Sequence, residues 1–107
     1  MTEKKVEFKN ESIILPGPGI VLQEEVDKWG FLYDPVKDLS FGLNQVSIFV
    51  WKELQHKISF KEIIDKVREY FSNVPVEIES DITLLLTSFF DQGLISVETP
   101  SQGGNNE

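Results

Sequence analysis

The spacing of apolar residues changes once along the chain. Ile13–Leu15 is a short apolar run stopped by Pro16-Gly17-Pro18-Gly19, a strong turn signal. After it, Ile20–Glu24 alternates as a strand does. Trp29–Asp34 alternates too, with Trp29, Phe31 and Tyr33 on one face and Leu32 on the other. Asp34-Pro35-Val36-Lys37-Asp38 reads as a turn in which proline fixes one φ. Leu39–Leu43 makes a third strand, with Leu39, Phe41 and Leu43 sharing a face and Ser40 and Gly42 on the other. Three short strands so closely spaced predict an antiparallel meander.

From Val46 onward the apolar residues fall three and four apart, which is helical spacing. Only Asn44 and Gln45 separate the two periods, and Asn44 suits a helix N-cap. The first helix is expected to reach about Gln55, with Val46, Phe49, Val50 and Leu54 on its apolar face and Trp51 beside it. Ser59-Phe60-Lys61-Glu62 matches a capping box and opens a second helix carrying Phe60, Ile63, Ile64, Val67 and Phe71 at helical spacing. Asn73-Val74-Pro75 breaks it, and Pro75 suits the first turn of a third helix over about Val76 to Gln92. Ile78, Ile82, Leu85, Leu86 and Phe89 form that helix's core stripe, Gly93 caps its end, and Leu94–Val97 fits a brief terminal strand.

The expected fold is α+β, a winged helix-turn-helix in which a three-stranded antiparallel sheet is followed by three helices. The folded domain is expected over 19–98. Residues 1–18 read as a partly disordered N-terminal extension, frayed over 1–12, and 99–107 as a disordered, linker-like tail.

Composition narrows the function. A chain of 107 residues holds one domain, and 40% hydrophobic content with eight Phe and two Trp is enough for a core. The absence of cysteine removes disulfides, thiolate metal ligands, iron–sulfur clusters and cysteine nucleophiles, and fits a reducing compartment. The polar N-terminus lacks the apolar stretch of a secretory signal, and no run approaches the roughly 18 apolar residues that span a bilayer. A cytoplasmic location is expected. A net charge of −8 repels phosphate backbones and anionic membranes. It favours basic or neutral partners, or serves only solubility, and neither nucleic acid nor membrane is expected as a partner.

Catalytic patterns are missing. The single histidine, His56, sits between Gln55 and Lys57 at the end of the first helix, where a cation-prone residue suits the helix dipole. No His/Asp/Glu spacing supplies a metal site, and no nucleophile motif surrounds the serines. The carboxylates Glu24, Glu25, Glu77, Glu79 and Asp81 read as solvated faces or first-turn helix charges. The glycines form no phosphate loop. The chain is therefore expected to be no enzyme, with no catalytic residue, metal or cofactor. DNA binding would need basic side chains on the third helix. From Val76 to Glu98 there are five acidic residues and no Lys or Arg.

Binding of a peptide or protein remains. The third strand comes last in the meander, so one of its edges is expected to be open to an incoming strand. The third helix would then form the wall of a groove. Leu84 falls away from the core stripe and makes a second face with Asp81 and Ser88; the alternative is one ordinary exposed leucine.

The pattern Gly42-Leu43-Asn44, then Trp51 and Leu54, then a capped second helix and a third closing on Gly93-Leu94-Ile95, resembles the PqqD family. These are the peptide chaperones of pyrroloquinoline quinone biosynthesis and their relatives, also called RiPP recognition elements. The resemblance runs from about Gly19 to Val97. The stretch from Val21 to Leu54 is similar to the PqqD-like members of the SynChlorMet cassettes, which accompany radical SAM enzymes. The resemblance implies a chaperone that binds the leader segment of a ribosomally made precursor peptide by strand addition. It would present the peptide to a modifying enzyme, often a radical SAM protein with a SPASM domain. Carried over, the binding strand is Leu39, Ser40, Phe41, Gly42 and Leu43. The facing helix positions fall among Asp81, Leu84, Leu85 and Ser88, while Val46, Val50, Trp51 and Leu54 would be packing residues. Three features depart from the pattern: the long N-terminal extension through Pro18, the extra Gly/Asn tail, and Leu84 where a smaller residue is expected. The rival reading is a winged-helix transcription regulator acting through DNA or protein contacts. An open edge also allows a homodimer through the strand.

Overall fold

The computed structural model describes residues 6–25, 28–71 and 73–99. Eight elements follow in chain order: β1 (Ile13–Pro16), β2 (Val21–Glu24), β3 (Gly30–Asp34), β4 (Leu39–Leu43), α1 (Gln45–Leu54), α2 (Phe60–Tyr70), α3 (Ile78–Asp91) and β5 (Ile95–Glu98). β2, β3 and β4 form the expected antiparallel meander and precede three helices. The architecture is α+β, as the sequence predicts.

The pleat sets which side of this sheet meets the core. Leu22 lies opposite Leu32, and Leu32 opposite Phe41. These three share the inner face with Leu43: Leu32 and Leu43 are buried, and Leu22 and Phe41 pack against the buried cluster. Phe31 and Tyr33 therefore stand on the outer face, beside their partners Gly42 and Ser40.

The core lies between this face and the helices. α1 contributes Ile48, Val50, Trp51 and Leu54; α2 contributes Phe60, Ile63, Ile64 and Val67; α3 contributes Ile78, Ile82, Leu86 and Phe89. Ile48 is buried although the sequence reading left it out. Phe49, expected on the apolar face, is half-buried and stacks on Tyr70 at 4.5 Å between ring centroids. Leu85 is also only half-buried, on the flank of the α3 stripe.

Two differences concern the N-terminal segment. Ile13–Pro16, expected in a partly disordered extension, is a strand: it pairs antiparallel with β5, Ile14 opposite Val97, and Ile14 is fully buried. Residues 8–12, expected to fray, are held against the start of α2. The carbonyl oxygens of Ser12 and Asn10 accept from Phe60 N at 2.8 Å and Lys61 N at 3.0 Å. Phe8 stacks on Phe60. The expectations for residues 1–5 and 100–107 lie outside the described residues.

The reason for this attachment is a complete account of helix donors. A helix start leaves four N–H groups without intrahelical partners. At α2 the Ser59 hydroxyl accepts from Glu62 N, the Glu62 carboxylate accepts from Ser59 N, and the N-terminal segment supplies the other two acceptors. Ser59→Ala is expected to lower stability by about 1 kcal/mol, read as a lower urea midpoint at unchanged slope.

α3 is shorter than expected. Pro75 lies before it rather than in its first turn, and Glu77 at its N-cap makes no side-chain cap hydrogen bond. Its other end closes as the glycine predicts. Gly93 takes φ +76°, its N–H donates to Phe90 O, and Leu94 N donates to Phe89 O, the paired bonds of a Schellman motif. Gly17 N then donates to Leu94 O at 2.7 Å, which brings the chain back beside β1.

Candidate functional site

β4 is an edge strand: the sheet order is β2-β3-β4, and among the described residues no strand pairs with its far side. Its unpaired backbone groups face whatever lies beside it. Residues flanking β4 at its two ends approach α3.

The first approach is at the start of β4. In the β3–β4 turn the buried Asp34 carboxylate accepts from Val36 N at 3.0 Å and Lys37 N at 3.3 Å. This closes the turn around Pro35 and sends the Lys37 side chain outward, where Nζ donates to Gln92 O at 3.3 Å. An ammonium at that position also complements the negative end of the α3 dipole. The second is at the end of β4. Asn44 caps α1, its Oδ1 accepting from Ser47 N at 2.9 Å while Asn44 N donates to Ser47 Oγ at 3.1 Å. This reciprocal pair turns the chain from strand to helix within two residues. The corner lines a cleft of about 370 Å³ together with Val46, Pro75, Asp81, Ile82 and Leu85. Lys37, two residues before β4, thus reaches the C-terminal end of α3, and Asn44, just after β4, shares a cleft with the N-terminal part of α3. The helix runs antiparallel to the open edge. A five-residue strand spans about 17 Å and a fourteen-residue helix about 21 Å, so the two are matched in length.

The positions singled out in the sequence fall as follows. On β4, Leu43 is buried, Phe41 half-buried, and Leu39, Ser40 and Gly42 exposed. On α3, Asp81 and Leu85 reach the cleft, and Ser88 continues the same flank one turn beyond Leu85. Leu84 is 69% exposed and lines a different hollow, with Val76, Glu77, Ser80 and Thr83. Val50, Trp51 and Leu54 are buried packing residues. Val46, assigned to packing with them, is half-buried and lines the cleft. Sequence reasoning also missed Lys37 and Pro75. Their part follows from contacts between residues 55 and 31 positions apart in the pairs Lys37–Gln92 and Asn44–Pro75, which no local pattern displays.

α3 is acidic: Glu77, Glu79, Asp81 and Asp91 stand on or beside it, and it carries no Lys or Arg. Of these, Asp81 lines the cleft, while Glu77 and Glu79 line the hollow around Leu84. At the turn, the Tyr33 hydroxyl donates to Asp38 Oδ1 at 2.7 Å. That hydrogen bond, more than any other influence, holds the phenol protonated and raises its pKa above the ordinary 10.0. A raised phenol pKa favours folding below the unfolded value, and the contribution disappears as pH rises through the folded one. An absorbance titration at alkaline pH should show a late-ionising tyrosine that Tyr33→Phe removes.

His56 lies exposed in the turn after α1. Among the described residues no group of three or more His, Asp or Glu is placed to hold a metal ion, and no helix is long and apolar enough to cross a membrane.

The solved structure of TbiB1 in complex with the TbiA(beta) leader peptide contains a chain of the same fold. It superposes with a TM-score of 0.65 at 21% identity, covering 77% of this chain and 94% of that one. No curated protein matches the sequence. Residues 30–95, from the first residue of β3 to the first of β5, match the family described as coenzyme PQQ synthesis protein D (PqqD). That match takes in β4, α3 and the cleft between α3 and the start of α1, and the chain belongs to the PqqD family.

Proposed function

We propose that this chain is a non-catalytic peptide chaperone. It binds the leader segment of a ribosomally made precursor and delivers it, in the cytoplasm, to a modifying enzyme of the radical SAM/SPASM class. The observation that carries the reading is the open edge of β4 with α3 alongside it. Family membership supports leader binding, and the structurally similar TbiB1 was solved with a leader peptide. The enzyme class follows from the family resemblance alone.

The mechanism is strand addition. Backbone groups of Leu39–Leu43 hydrogen-bond the leader, which gives affinity with little demand on sequence. The cleft beside Val46, Asp81 and Leu85 takes an apolar side chain, which fixes the register. The acidic wall favours leaders carrying Lys or Arg, and added salt weakens that preference. The same wall disfavours the rival DNA-binding reading, since α3 would repel phosphates along its length.

The test is an amide NMR titration with the leader half of a small precursor peptide sought among the neighbouring genes. Shifts are expected on Leu39–Leu43 and on Asp81–Phe89. A well-folded sample whose spectrum does not move with that peptide would overturn the reading. Light scattering at each concentration shows whether a second copy occupies the edge instead.

A further inference from the structure

The outer face of the three-stranded sheet carries large side chains although it is turned away from the core. An antiparallel sheet with one solvated face normally carries polar residues there. Here Val21, Phe31 and Tyr33 share that face with Gln23, and Val21 is 49% exposed. Toward the open edge the side chains become small: Phe31 lies opposite Gly42, and Tyr33 opposite Ser40. A Cβ placed on Gly42 would meet no atom within 4 Å, so the Phe31 ring does not cover the glycine. Nor does the backbone require glycine, because Gly42 is absent from the residues with positive φ. The result is a notch: open space over Gly42 on the outer face of the last strand, with Phe31 as its cross-strand neighbour and the free edge beyond.

We infer that this notch is a second specificity subsite, which takes a large apolar or aromatic side chain of the bound peptide. The inference rests on the strand-addition reading. Side chains of a strand alternate between faces, so a strand added to β4 directs every second side chain away from α3 and over Ser40 and Gly42. A ring or branched chain at the position beside Gly42 lies across the glycine and meets Phe31, burying apolar surface that the free protein leaves wet. The inner cleft and the outer notch are on opposite faces of the same strand. They are therefore filled by residues an odd number of positions apart, such as immediate neighbours, not by residues two apart. The preferred peptide has one apolar residue facing α3, an apolar or aromatic one facing the notch, and basic residues nearby for the acidic wall.

Peptides selected on the full chain from a display library of short random sequences supply the probe. The selected peptides should carry two large apolar residues at odd spacing, and their binding should move the ring resonances of Phe31 together with the amides of Leu39–Leu43. Gly42→Val fills the notch with a residue that strands favour. It should leave the melting temperature unchanged or raised and weaken these peptides about tenfold, Gly42→Ala weakening them less. Substituting the outward-facing peptide residue by alanine should cost the wild type affinity and cost Gly42→Val little. Two results would overturn the proposal and are distinguishable. If β4 amides shift but Gly42→Val binds as tightly as the wild type, the notch is unused and strand addition stands. If no selected peptide shifts the β4 amides, strand addition fails and the notch falls with it.

Discussion

Trp51→Ala is expected to lower the melting temperature by roughly 15 to 30 °C. The ring is buried and meets Phe89 edge-on, with centroids 5.8 Å apart and planes at 90°. Truncating a buried tryptophan removes its transfer free energy and leaves a cavity that its neighbours fill only in part, a loss of about 3 to 5 kcal/mol. A domain of this size has about 5 to 15 kcal/mol in total, and each kcal/mol moves the melting point several degrees. The loss falls on the contact between α1 and α3. Because α1 begins at the corner that ends β4, the same contact helps set α3 beside the open edge. Peptide affinity should therefore fall even in the fraction that stays folded. Circular dichroism melts read the stability effect, with His56→Ala as a comparison within about 0.5 kcal/mol of wild type. A Trp51→Ala melting point only a few degrees below wild type would mean that the ring does not anchor the two helices.

Elements specified locally were legible in the sequence. The alternation of Leu39–Leu43 and the jump to helical spacing after Asn44 located the edge strand and the helix that follows it. Ser59 and Glu62 announced the start of α2 because both halves of the capping box lie within four residues. Gly93 announced the end of α3 for the same reason. Features made by distant backbone were not legible. Ile13–Leu15 is too short a run to distinguish a strand from a linker, and its partner β5 lies some eighty residues away. Residues 9–12 are polar and charged and look like a tail. Their attachment depends on carbonyl oxygens of Asn10 and Ser12, and every residue carries a carbonyl whatever its side chain.

The candidate site divides in the same way. The strand and the helix proposed to form the groove could be named from the pattern, but the angular position of each side chain around α3 could not. Leu84 and Leu85 are adjacent in sequence and about 100° apart on a helix, and the sequence left the role of Leu84 open. The structure separates them: Leu85 is half-buried in the cleft, and Leu84 is exposed in the neighbouring hollow. Val46 was misplaced because it belongs to the first turn of α1, where a residue with helical spacing can still face the groove at the strand end.

That separation leads to the second large effect. Leu85→Lys is expected to weaken leader binding by about thirtyfold or more. Leu85 is an apolar part of the cleft beside Val46 and Ile82, where the proposed mechanism buries a leader side chain. Lysine there removes apolar contact surface, and on the proposed reading it sets a positive charge against leaders that carry positive charge themselves. Thirtyfold corresponds to about 2 kcal/mol, the size of a loss at a binding hot spot. The fold should tolerate the change. Leu85 is half-buried, and a lysine can lay its methylene stem over the same surface while its ammonium reaches water near Asp81. Leu84→Lys adds the same charge one residue away on the outer side of α3, so it serves as the control for charge alone. If strand addition uses the cleft, Leu85→Lys binds poorly and Leu84→Lys binds nearly as well as the wild type, with similar melting temperatures. Equal losses in the two variants would mean that the leader reads only the charge of α3. No loss in Leu85→Lys would mean that the peptide does not enter the cleft.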